Sequence, residues 1–240
     1  MPRFFIPPDE AKPGGELTLD RESSSHIARS LRMRAGETLT LSDGKGTDFS
    51  AEILDTGELV TVRILSAAPC ETEPHTRVTL FQALPKGDKM EWIVQKATEL
   101  GVYAIQPFLS SRCISRPDSR SMEKKRARLQ KIALEAAQQS GRGQVPEIRP
   151  LVGLEELPEL MPEKTLFCYE KGGRRIAELI APGEKEVGLI IGSEGGFSPE
   201  EAEFLASHGT LTATLGKRIL RCETAPLCGL SVILAQTGDI

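Results

Sequence analysis

Val187-Gly188-Leu189-Ile190-Ile191-Gly192-Ser193-Glu194-Gly195-Gly196-Phe197-Ser198-Pro199-Glu200-Glu201 passes from an apolar run, through a glycine-rich turn, into a helix start. A short, wholly apolar run bounded by turn residues is what a strand buried on both faces needs. Ser198 is placed to cap the helix, Pro199 takes its first position, and Glu201 completes a capping box. Strand, turn and capped helix form the repeating unit of a parallel α/β sheet.

Read outward, the same texture holds from residue 77 onward. Strands are expected at Arg77–Leu84, Tyr103–Leu109, Lys164–Tyr169 and Leu211–Leu215. Helices are expected at Asp88–Leu100, 119–139, Arg174–Ile180 and Thr224–Gln236. In the last of these Pro226 falls in the first turn, where proline is tolerated. Upstream the pattern is different. Phe4-Phe5-Ile6, Glu37–Leu41, Thr47–Leu54 and Leu59–Leu65 read as short strands, with one helix at Ser24–Arg32. Glu37–Leu41 alternates polar and apolar as a half-buried strand does, and Asp43-Gly44-Lys45-Gly46 is a turn. Pro69-Cys70-Glu71-Thr72-Glu73-Pro74 has the composition of a linker. The expected organisation is a small β-barrel over residues 1–70 and an α/β domain over 71–240.

At 240 residues, with 39% hydrophobic and 27% charged side chains, the chain is an ordinary globular one. No apolar run reaches the roughly 20 residues that span a bilayer, and the apolar stretch at Phe4-Phe5-Ile6 is too short for a signal peptide. A cytoplasmic protein without a membrane partner is expected. Five scattered cysteines and three distant histidines (His26, His75, His208) offer neither a disulfide framework nor zinc-ligand spacing, so no metal is expected.

Net charge is −4, yet residues 110–149 carry 10 basic and 4 acidic side chains. A basic island in an acidic protein is the footprint of a phosphate-contacting surface, although the face of an amphipathic helix over 119–139 explains part of it. Arg112, Arg116, Lys124 and Arg142 lie in the island. Arg29, Arg32 and Arg34 form a smaller cluster where cations also suit a helix C-terminus.

Ligands of open α/β sheets bind beyond the carboxyl ends of the strands. Three such ends are unusual: Cys168-Tyr169-Glu170-Lys171-Gly172-Gly173, the turn Gly192–Ser198, and Leu215-Gly216-Lys217-Arg218-Ile219-Leu220-Arg221-Cys222-Glu223-Thr224. They match no dinucleotide fingerprint, P-loop or nucleophile elbow. Their glycines permit close backbone approach, and Glu194, Arg218, Arg221 and Glu223 are charges that turning does not require. A ligand site is expected there.

The second and third of these stretches resemble the two signature loops of the RsmE family, bacterial 16S ribosomal RNA uridine-N3 methyltransferases of the SPOUT class. The resemblance extends to His26-Ile27-Ala28-Arg29-Ser30-Leu31-Arg32-Met33, Lys86-Gly87-Asp88-Lys89-Met90-Glu91, Gln95–Val102 and Ala136–Arg142, in order. Ser193 stands where the family's G-P-E-G-G loop usually has proline. The resemblance implies a PUA-like β-barrel followed by a SPOUT α/β domain with a deep trefoil knot, a rare exception to unknotted topology. It implies S-adenosylmethionine as cofactor, held by backbone at Gly192, Gly195, Gly196, Leu215, Gly216, Ile219 and Leu220. It further implies a homodimer acting on a uridine in the decoding region of 16S rRNA on the 30S subunit.

Uracil N3 carries a proton at neutral pH, so its methylation needs alignment with the donor, a proton acceptor and stabilisation of the uracil anion. Arg221 is the candidate for a uracil carbonyl, and Glu194 or Glu223 for the proton. The competing expectation is that both glutamates only brace the loops or cap the last helix. Arg3, Arg29, Arg32, Arg112, Arg116, Lys124 and Arg142 are the candidates for RNA contact. A non-catalytic ribosome-assembly factor on the same fold, or an enzyme acting on another RNA position, are the alternative functions.

Overall fold

The computed structural model describes residues 1–7 and 9–240. By contacts the chain divides into two units, Met1–Glu73 with Ala137–Val145, and Pro74–Ala136 with Pro146–Ile240.

The first unit contains β1 (Arg3–Phe5), β2 (Glu16–Thr18), α1 (Arg21–Ser25), β3 (Thr38–Ser42), β4 (Thr47–Thr56) and β5 (Val60–Pro69). They form one sheet in the order β1-β3-β4-β5-β2, with β1 parallel to β3 and the other pairs antiparallel. Among the described residues no pairing closes β1 onto β2, so the sheet enfolds its core without a complete ring of hydrogen bonds. Register shifts in β4 at Ser50/Ala51 and Ile53/Asp55 supply the bends that such curvature needs. Phe4, Leu39, Leu41, Ile53, Val62 and Ile64 fill the inside. The helix expected at Ser24–Arg32 is α1, capped by Asp20, followed by a π-helical turn at His26–Ser30. Arg32 has φ +55°.

The second unit contains β6 (Arg77–Ala83), α2 (Lys89–Glu99), β7 (Ala104–Leu109), β8 (Glu147–Ile148), β9 (Val152–Gly153), β10 (Thr165–Cys168), β11 (Arg174–Arg175), α4 (Ile176–Leu179), β12 (Glu186–Ile191), α5 (Pro199–Ser207), β13 (Leu211–Thr214) and α6 (Ala225–Thr237). Helix α3 (Ser119–Ser140) carries the middle of the basic island, including Lys124, with Arg112, Arg116 and Arg142 outside it. The strands pair in parallel in the order β11-β13-β10-β12-β6-β7-β8, with β9 also on β7. The helix expected at Arg174–Ile180 is shorter than its apolar spacing suggests, because its first two residues extend as β11 alongside β13.

Strand residues alternate between faces. Ile190 pairs with Phe81 and Phe167, and these pack in one cluster with Leu205 of α5. Its neighbour Leu189 lies against Gly229 of α6 on the other face. Helices on both faces explain why β12 is apolar at every position after Glu186 and buried throughout. The capping box of α5 forms as expected. The Glu201 N–H donates to Ser198 Oγ at 3.2 Å, and the Ser198 N–H donates to Glu201 Oε2 at 2.8 Å.

Candidate active site

Beyond the carboxyl ends of β10, β12 and β13 lies a cleft of about 470 Å³. It is lined by Cys168–Glu170, by Ile191–Phe197, by Ala213–Gly216, by Arg218–Glu223 and by Lys89. The seven cofactor candidates Gly192, Gly195, Gly196, Leu215, Gly216, Ile219 and Leu220 all line this one cleft, as do Glu194, Arg221 and Glu223. Residues separated by up to 31 positions are thus gathered by strand order alone, since β10 separates β12 from β13.

The glycine turn is held from several sides. Phe197, 1% exposed, anchors it in an aromatic cluster, edge-on to Phe167 at 4.8 Å and stacked with Phe108 at 6.3 Å. Ser193 and Gly196 form an antiparallel bridge, and the Gln82 amide donates to Gly192 O at 3.2 Å. A Cβ on Gly192 would come within 2.9 Å of the Phe197 ring, and one on Gly195 within 2.9 Å of Arg112 Cβ. These two glycines are therefore required by the packing of the turn itself. The bridge and the Gln82 bond hold the turn where Ser193 replaces the family's usual proline. Ser193 Oγ is buried without a hydrogen-bond partner.

The charges form a connected group. Lys89 Nζ lies 2.7 Å from Glu194 Oε1 and 3.5 Å from Glu223 Oε2. Glu194 also accepts from the Lys86 N–H at 3.2 Å, and the Cys222 thiol donates to Glu223 Oε2 at 3.2 Å. Burial alone would raise the Glu194 carboxyl. The bonds from Lys89 and the backbone overcome it and hold Glu194 below the ordinary carboxylate range. At Glu223 the raising effect of burial is likewise overcome, by the Cys222 thiol and by Lys89, and the carboxyl is lowered. Burial and the Glu223 carboxylate push the Cys222 thiol up to about 12, so it stays protonated at neutral pH.

The RNA candidates separate into two groups. Arg29, Arg32 and Lys124 are exposed. Arg112 and Arg116 are also exposed, and their guanidinium groups donate to backbone carbonyls, Arg112 to Gly195 O at 3.0 Å and Arg116 to Ser110 O at 3.0 Å. Arg142 is buried instead, and Arg3 is half-buried. The Arg3 side chain is 10% exposed and grips both oxygens of Asp48 at 2.6 and 2.7 Å. Arg142 is 4% exposed and binds Glu73 at 2.6 Å. Both guanidinium groups are engaged in ion pairs inside the first unit, unlike the exposed candidates. Lys89 is a cleft residue that sequence reading missed, whereas Glu170 lies in the first of the three strand ends expected to form the site. Lys89 sat inside a quoted family stretch, but its ion pairs join positions more than 100 apart and leave no local signature.

The class of protein follows from comparison at this point. The RNA methyltransferase domain family matches residues 72–234, and the RNA methyltransferase PUA domain matches residues 19–65. Ribosomal RNA small subunit methyltransferase E of Bacillus subtilis is 33% identical over 99% of this chain and 97% of its own length. The crystal structure of ribosomal RNA small subunit methyltransferase E from Neisseria gonorrhoeae, bound to S-adenosyl methionine, superposes with a TM-score of 0.90. It is 34% identical and covers 98% of this chain and 97% of its own. A Legionella pneumophila chain solved with bound SAM gives a TM-score of 0.89 at 37% identity, over 97% of this chain and 96% of its own. The chain belongs to the ribosomal RNA small subunit methyltransferase E family.

Proposed function

We propose that this protein transfers a methyl group from S-adenosylmethionine to N3 of a uridine in the decoding region of 16S rRNA, on the 30S subunit. The observation that carries the reading is the gathering of the glycine turn, the 215–223 segment and the Glu194–Lys89–Glu223 group into one cleft. Its volume falls within the range of small-molecule sites, about 300–1,000 Å³. Ile191, Leu215, Leu220 and Ala225 offer an apolar bed for a base, while Glu170, Glu194 and Glu223 suit ribose hydroxyls and cationic groups. The residues present therefore fit a nucleoside sulfonium.

When bound, the cofactor supplies an electrophilic methyl group. The chain's own residues prepare the acceptor. The backbone of Leu215, Gly216, Ile219 and Leu220 would hold the adenine, and Gly192, Gly195 and Gly196 would allow the backbone to close on the rest. Arg221 donates to a uracil carbonyl and stabilises the anion. The N3–H bond breaks and its proton passes to a carboxylate; the cofactor would supply the methyl that N3 takes, its S–C bond breaking to leave a neutral thioether. Glu194 and Glu223 are the two candidates: Glu194 accepts from Lys89 and from the Lys86 N–H, and Glu223 from the Cys222 thiol.

Residues 1–70 form the PUA-like domain that helps hold RNA, through Arg29 and Arg32. Residues 71–240 form the SPOUT domain, with Arg112, Arg116 and Lys124 at phosphates. A deep trefoil knot is part of this reading, supported by the insertion of β12 between β10 and β6. The protein works in the cytoplasm as a homodimer, and exposed Trp92, Ile114 and Ile219 are apolar surface that a second copy would cover.

The test is methyl transfer from labelled S-adenosylmethionine to 30S subunits lacking the modification, with free rRNA and tRNA in parallel. Label on N3 of one uridine of the 30S particle alone is expected. Cofactor binding without transfer to any of the three would point to another RNA. Absence of cofactor binding would favour the non-catalytic assembly factor.

A further inference from the structure

Lys89 opens α2, and at a helix start its charge is misplaced. The positive end of the helix dipole lies there, and a cation is disfavoured beside it. Asp88 before it makes no side-chain cap. A residue that breaks a local rule at a cleft calls for a reason beyond the helix. Its side chain is 32% exposed, lines the cleft and joins three segments distant in sequence: the start of α2, the glycine turn through Glu194, and the 215–223 segment through Glu223.

We propose that Lys89 is a positioning residue for methyl transfer, whose ammonium holds the Glu194 and Glu223 carboxylates ionised, in place and directed at the cleft. The inference rests on the function proposed above and adds a residue to it. Two carboxylates within 4 Å of one ammonium would repel each other without it, and each would take up a proton more readily. A protonated Glu223 cannot accept from uracil N3. The other groups facing the pair are the Cys222 thiol, the Lys86 N–H and Arg221 on the same cleft wall. The thiol and the N–H are uncharged donors, so among the described residues the cation bonded to both carboxylates is Lys89. Its own pKa is raised, first by the hydrogen bond to Glu194, so it stays charged wherever the enzyme works.

The experiment compares wild type, Lys89→Met, Lys89→Gln and Lys89→Arg as full chains. Carbon-13 NMR follows titration of the Glu194 and Glu223 carboxyls, and single-turnover methyl transfer to 30S subunits is followed from pH 5 to 9. Calorimetry with S-adenosylmethionine reports whether each variant folds and binds. In Lys89→Met and Lys89→Gln the carboxyl titrations should move up by about one pH unit or more. The acidic limb of the rate should move up with them, so that the loss grows as pH falls towards 5. Lys89→Arg should restore both. Unmoved titrations in a folded variant, or moved titrations with an unmoved rate limb, would overturn the proposal. Failure of the underlying function looks different: wild type would label no uridine although the titrations still respond to Lys89.

Discussion

The two loops that make the cleft are built on opposite plans. The glycine turn Gly192–Phe197 is bridged to itself, bonded to Gln82, packed on Arg112 and anchored by a buried aromatic ring. The 215–223 segment carries little regular structure, Gly216 has open space around it, and Ile219 is 77% exposed. One wall is preorganised, whereas the other has room to adjust. Preorganisation suits the wall that holds charged groups in register, because misplacing a reacting group by 1 Å can cost about 100-fold in rate. Room to adjust suits a segment that must admit a nucleoside and then close on it.

Substitutions at glycine separate the two plans, and the largest effect belongs to the rigid wall. Gly192→Ala places a methyl against the Phe197 ring and 3.2 Å from Gly196 Cα, neither of which can move freely. Overpacking of this kind costs about 1–3 kcal/mol. Thermal unfolding should show that loss, and calorimetry should show cofactor affinity falling with it. Unchanged melting with weakened binding would mean that the turn yields as readily as its partner, and the contrast would collapse.

The rigid wall was the legible one. Apolar strand, glycine turn and capping box are all local signals, and each of them appears in the structure with the expected partners. Strand and helix positions in the second unit followed from the same periodicity. The short strands β2, β8, β9 and β11 did not, because two or three residues carry no period and are ordered by the neighbour they join. Charge was the least legible feature. Arg142 and Lys124 look alike in a basic stretch, yet one is buried on Glu73 and the other is exposed. Burial is a property of the assembled fold, and so are the bonds from Lys89 to Glu194 and Glu223, whose partners stand 105 and 134 positions away.

A smaller effect is expected in the adjustable wall. Gly216 has φ +107°, so alanine there is strained, but no atom within 4 Å opposes its methyl. The segment can relax, and the stability loss should stay below about 1 kcal/mol, while cofactor affinity drops because the adenine loses a shaped backbone. Ile219→Ser should leave melting within about 0.5 kcal/mol of wild type, as surface substitutions do. A Gly216→Ala protein that melts as early as Gly192→Ala would show both walls to be equally rigid.

The smallest difference is one of pH, and it tests whether the rigid wall is held partly by charge. Glu194 is lowered in the folded chain, against the raising effect of its own burial, by Lys89 and the Lys86 N–H. A carboxyl lowered by folding adds stability above its unfolded pKa, and that stability is lost as pH falls through its folded pKa. Wild type should therefore lose this contribution in acid, below the ordinary carboxylate range, and not near neutrality. Glu194→Gln keeps the shape and removes the charge, so its melting temperature should lie below wild type at pH 7 and converge with it in acid. Because the pair is partly exposed, the gap at pH 7 should be no more than about 1 kcal/mol. A gap that stays constant from pH 7 into acid would assign the role of Glu194 to packing alone. The glycine turn would then owe its rigidity to Phe197, Gln82 and Arg112, and Lys89 would have only Glu223 left to position.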